Sequence, residues 1–217
     1  MKRIIRDKSR YFREEAYNAL TDIDPERLKL LAAIAIEYTS LEVMVDLALR
    51  DLLRLDWDET DVVSRINGFE GKVAIIKATS QASATLKGEP ATLVADTLGE
   101  IGVLKTYRDA VAHADIHEPK AEIVRTSTKH GKPYEVDISI STLTVLFNRV
   151  MALQVEMTHA FRVLSHHFDH DDLEMGKYSD ASEVISGRPF QEHLAQLRDY
   201  QSSRRLLPAI PKLPEEP

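Results

Sequence analysis

The feature that most constrains this chain is an apolar stripe of helical period beginning just after Asp24-Pro25. Asp24 can accept hydrogen bonds from unpaired N–H groups, and Pro25 suits the first helical position. Leu28, Leu31, Ile34, Ala35, Tyr38, Leu41, Val45, Ala48, Leu49 and Leu52 then recur every three or four residues. That spacing predicts one long amphipathic helix over about 25–55, which must bury its face against other elements.

The rest of the chain offers matching partners. Trp57 and Asp58 are expected in the exit loop, followed by a short element near 61–66. Gly68 and Gly71 punctuate it, and a second helix is predicted at 69–82. Gly88-Glu89-Pro90 marks another break before a third helix at about 90–113, faced by Leu93, Val94, Leu98, Ile101, Leu104 and Val111. The β-branched stretches 121–128 and 134–140, joined by Lys129–Pro133, read as a hairpin with one wet face. Ser141 or Thr142 is expected to cap a fourth helix over 142–168, with Met151, Val155 and Met157 on its apolar side. A short helix is expected near 190–200, and the Pro-rich last ten residues are poor candidates for folded structure. The predicted division is a basic segment 1–21, a helical domain 22–168, and an acidic then Pro-rich extension 169–217. The fold class is all-α, four main helices with a β-hairpin before the last long one.

Composition removes several functions. With no cysteine, disulfides, thiolate metal sites and a cysteine nucleophile are excluded. A net charge of −7 argues against a surface that coats nucleic acid but leaves room for a local basic cleft. The first residues are charged with no apolar h-region, and no run approaches the length of a membrane span, so a cytoplasmic location without membrane attachment is expected. Gly68 and Gly71 are not followed by Gly-Lys-Ser/Thr, so they make no phosphate loop.

Four groups of residues could carry chemistry. The first is Tyr107-Arg108-Asp109-Ala110-Val111-Ala112-His113, at the end of the third helix. Arg108 is a permanent cation with a fork suited to phosphate, and His113 can move a proton near neutrality. On an ideal helix the two lie about 140° apart, so they converge only if the helix loosens or a second subunit supplies one of them. The alternative is an Arg paired with an acid and a His favoured by the helix dipole.

The second group, His166, His167 and His170 with Asp169, Asp171 and Asp172, has the spacing of metal ligands and equally that of a solvated helix end. The third, Lys2 to Arg13 with Tyr11 and Phe12, holds six bases against three acids over 1–20 and could grip single-stranded nucleic acid or pack as a terminal helix. The fourth, Glu37, Glu42, Asp46 and Asp51, could seat a metal through Glu42 and Asp46, or pair with Arg50 and Arg54. Met44, Met151 and Met157 read as core filler.

The order of elements, with Arg108-Asp109-x-x-Ala112-His113 at the end of the third helix, resembles the HEPN domain superfamily over about residues 25–168. Its signature is Arg-x4-6-His, often with a polar residue after the Arg. The resemblance implies a homodimer whose shared cleft is lined by the Arg and His of both subunits. It also implies metal-independent endoribonuclease activity in active members, with an antitoxin or another protein as partner in some settings. Carried over, Arg108 would hold the scissile phosphate, His113 would act as general base or acid, and Asp109 would orient the pair. Tyr107, Asp115 and His117 are the expected substrate-binding neighbours. One toxin branch has Tyr where this chain has Asp115, and an acid there repels phosphate. No metal or cofactor is expected. The rival expectation is a non-catalytic HEPN-like dimer that binds RNA, nucleotide or a partner protein.

Overall fold

A computed structural model describes residues 23–83, 86–112, 122–127, 133–174, 188–211 and 213; of 125–127, 133, 134, 166–174, 188 and 189 only the backbone is described. These residues form five helices and one hairpin: α1 Pro25–Leu53, α2 Trp57–Ala82, α3 Glu89–Ala112, β1 Ile123–Ser127, β2 Pro133–Asp137, α4 Ile140–Glu174 and α5 Arg188–Arg204. The described residues are thus mostly helical with one two-stranded sheet, as the periodicities imply.

Local chemistry explains the boundaries. Asp24 Oδ1 accepts from the N–H groups of Glu26 and Arg27 at 2.9 and 3.1 Å, the cap its position predicts. At the other end of α1, Leu55 N donates to the Arg50 carbonyl and Arg54 N to that of Asp51. Arg54 has φ of 54°, so the helix closes in a Schellman turn with an arginine where glycine is usual.

Trp57 is not in a loop: it opens α2. Asp56 and Glu59 form a reciprocal capping box, at 2.8 and 3.0 Å, which the sequence reading missed. The elements expected at 61–66 and 69–82 are two arms of α2, and the break between them is real. Gly68 is non-helical, with φ of 57° and ψ of −178°, a region that essentially only glycine occupies. Ser139, rather than Ser141 or Thr142, caps α4. Its Oγ accepts from Thr142 N at 3.3 Å, while the Thr142 hydroxyl donates to Asp137 Oδ2 at 2.6 Å. Helix α4 also runs six residues past Phe168.

The described chain divides into two compact units. The first comprises the described residues within 1–35, 106–147 and 209–217. Its buried apolar residues include Ile34, Tyr107, Ala110, Val124, Val136, Ile138, Leu143 and Leu146. The antiparallel register sets Val124 opposite Val136, both buried, while Ile123 and Glu135 face water. The sheet therefore has the one wet face that alternation predicts.

The second unit comprises the described residues within 36–105 and 148–208. Tyr38, Leu41, Val45 and Leu49 from α1, Ile76 from α2, Leu98 and Ile101 from α3, Leu153 and Met157 from α4, and Leu197 from α5 are all essentially inaccessible. Met151 and Val155 depart from expectation: they are 39% and 38% exposed, on the rim of the α4 stripe. The chain is held through Pro208, because Arg149 Nε and Nη2 donate to the carbonyls of Pro208 and Leu207 at 2.7 and 3.1 Å.

The second unit also buries a polar cluster. Arg204 is 3% exposed and reaches Glu156 at 2.7 Å, Asp96 at 2.9 Å and Glu100 at 3.1 Å. Glu156 has no exposure and takes a further bond from the Thr97 hydroxyl at 3.3 Å. Burial pushes the Glu156 carboxyl above its ordinary value, against the pull of Arg204 and Thr97. Burial also works against the charge on Arg204, but the surrounding carboxylates outweigh it.

Candidate functional site

Tyr107, Arg108 and Asp109 sit consecutively near the end of α3, within the first unit. Successive helical positions point about 100° apart, so the two meet because the long Arg108 side chain reaches round to its neighbour. Arg108 Nη1 lies 2.9 Å from Asp109 Oδ1, and each side chain keeps about one-third of its surface in water, at 31% and 32%. The pair thus combines a fixed cation with a carboxylate that orients it and neutralises much of its charge. Its place near the helix C-terminus favours the cation for reasons unrelated to substrate.

Tyr107 faces inward. It is 2% exposed, and its hydroxyl donates to the backbone carbonyl of Asp137. Burial, with a smaller contribution from the Asp137 charge, pushes the phenol well above its ordinary value, so it remains a proton donor. This places Tyr107 in the packing of the first unit, away from any solvent-facing subsite. His113, Asp115 and His117 lie outside the described residues. The geometry therefore joins Arg108 to Asp109 and separates Tyr107 from them.

Beyond the Tyr107 bond is an open groove of about 600 Å³ lined by Glu122, Ile123, Asp137, Ser139, Ile140 and Ser141. Partial burial raises Asp137, but hydrogen bonds from Thr142 and Ser139, and the nearby charge of Arg27, outweigh it and hold the carboxyl below its ordinary value. Two carboxylates and no lining cation make this groove a poor seat for phosphate.

The other groups resolve differently. Asp46 is held by Lys72 Nζ at 2.5 Å and Ser64 Oγ at 2.8 Å, so it is already committed. Arg50 pairs with Asp51 at 2.8 Å rather than with an acid one turn earlier, and its guanidinium lies 4.3 Å from the centre of the Trp57 ring. Among the described residues no group of three or more His, Cys, Asp or Glu is placed to hold a metal. Residues 1–22 lie outside the described residues, as do the side chains of His166, His167 and His170.

Two clusters escaped sequence reasoning. One is Glu156 with Arg204; its signal was an acid at the same helical face as Leu153, Met157 and Ala160. The other is His159 with His193, which are 34 positions apart and carry no local motif. Among the described residues no helix is long and apolar enough to cross a membrane. Comparison with protein-family models, with curated proteins and with solved structures finds none that matches this chain.

Proposed function

We propose that this chain is a HEPN-like homodimeric protein that cleaves RNA without a metal. Arg108 binds the scissile phosphate and His113 moves the proton as the ribose 2′-OH attacks phosphorus. The P–O5′ bond breaks, leaving a 2′,3′-cyclic phosphate and a free 5′-OH. The observation that carries this reading is the Arg108–Asp109 pair: a guanidinium still about one-third exposed, braced at 2.9 Å, with an imidazole five residues further along. A cation fixed before substrate arrives costs little reorganisation when negative charge develops.

The test is incubation of the full chain with single-stranded RNA in excess EDTA. Cleavage should persist and yield cyclic phosphate ends. His113→Ala should lower the rate by about 10²–10⁴-fold, the usual loss for a general acid–base, while circular dichroism stays unchanged. Undiminished cleavage in that variant removes His113 from the mechanism.

A second reading has its own observation. Because Asp109 already neutralises much of Arg108, the pair also suits a non-catalytic module that binds RNA or a partner protein. In that case RNA is retained but never cut, and His113→Ala leaves retention unchanged.

A further inference from the structure

On the second unit, one imidazole from α4 and one from α5 meet head to head. His159 Nδ1 and His193 Nδ1 are 3.2 Å apart, with ring centroids 5.4 Å apart and planes tilted by 42°. Both residues are only partly buried. With both rings neutral, this contact holds a single N–H proton between two nitrogen lone pairs.

The ring of Tyr200 stacks on His159 at 5.3 Å and 15°, which limits tilting of that imidazole but not its swing within the ring plane. Helix α5 is seated by buried Leu194 and Leu197 and fixed along its axis by Arg204, while Gln201 Nε2 donates to the Leu93 carbonyl at 2.7 Å.

A transition metal binds imidazole nitrogen at about 2.0–2.1 Å, and two such bonds across this gap subtend about 100°, close to a tetrahedral angle, once each ring swings in its plane so that the two lone pairs turn from facing each other to a common point beside the N–N line. We propose that His159 and His193 form a two-imidazole seat for a divalent transition metal ion of the zinc, nickel and copper class, stapling α5 to α4. Water fills the remaining positions. On binding, the proton shared between the rings moves to the Nε2 of its own ring, both imidazoles stay neutral, and each Nδ1 gives its lone pair to the ion. Oxygen-preferring ions such as Mg²⁺ are not ligands of choice for two imidazoles. The seat is independent of the proposed RNA chemistry, which does not use these residues.

The test uses the full chain, stripped with EDTA and dialysed, titrated with Zn²⁺ or Ni²⁺ alone by calorimetry and followed by thermal unfolding. Wild-type protein should bind one ion, and its melting temperature should rise with metal concentration. His193→Gln and His159→Gln should each weaken binding by roughly tenfold or more, a loss at least as large as that for a ligand's supporting residue. His166→Gln/His170→Gln should titrate like wild type, which separates this site from the other histidine run. If His193→Gln binds zinc as tightly as wild type while remaining folded by circular dichroism, the assignment is overturned. It is equally overturned if Mg²⁺ produces the same shift as Zn²⁺, or if wild type shows no saturable binding. Insensitivity of RNA cleavage to EDTA bears on the nuclease alone.

Discussion

Replacing Arg204 with methionine tests the packing of α5 most sharply. Three carboxylates face this guanidinium, but they do not depend on it equally. Asp96 keeps Arg205 at 3.6 Å, and Glu100 keeps Arg149 at 3.3 Å. Glu156, with no exposure, keeps only the Thr97 hydroxyl at 3.3 Å among the described residues. The damage from Arg204→Met therefore falls on Glu156, which becomes a buried charge without a counter-ion. Removing one partner of such a pair costs about 3–5 kcal/mol. At roughly 2–4 °C per kcal/mol for a chain of this size, the melting temperature should drop by roughly 10 °C in scanning calorimetry.

Arg204→Met with Glu156→Leu should recover most of the loss, because an apolar pair removes the stranded charge. Acidification should partly rescue the single variant. The Glu156 carboxyl is already raised by burial, so the folded state binds a proton more readily than the unfolded one, and stability falls as pH rises through the folded value. A single variant that melts within about 2 °C of wild type, or a double variant no better than the single one, would refute the argument.

Other outcomes follow from single residues. Tyr107→Phe strands the Asp137 carbonyl and should cost about 1–3 kcal/mol, read from the urea midpoint. Gly68→Ala meets nothing within 4 Å, so steric space predicts tolerance; the backbone conformation instead predicts a loss of about 1–3 kcal/mol in the same assay. Asp137, held below its ordinary value of 3.8 in the folded state, contributes stability that is fully present above that value and lost as pH falls through the folded one. Asp137→Asn should flatten that acid limb in pH-dependent unfolding, and an unchanged limb would remove Asp137 as its source.

Much of the architecture was legible because it is written locally. Asp24-Pro25 and the stripe to Leu52 placed α1 to within two residues, and a glycine that must take positive φ marked the break at 68. Errors arose where neighbours in space choose between local options. Ser139, Ser141 and Thr142 are all competent caps, but Asp137 binds the Thr142 hydroxyl and Ser139 N, which leaves Ser139 Oγ to cap. Trp57 is expected in the exit loop, yet the capping box of Asp56 and Glu59 starts the helix there.

The candidate site divides the same way. Arg108 and Asp109 stand adjacent in the chain, so their pairing needed no fold. Tyr107 looked equally available, yet the helix turns it into the core and the hairpin supplies the carbonyl that takes its proton.

Periodicity, caps and turn residues are properties of a few consecutive amino acids, so this chain's helices, its hairpin and its break at Gly68 follow from reading along it. The partners of Arg204, Tyr107 and His159 lie 30 to 108 positions away. No neighbouring residue records such a pairing. Only folding brings those groups within 3.5 Å, and for the buried Arg204 and Tyr107 burial turns the encounter into a requirement, because a polar group removed from water must find a partner or lose stability.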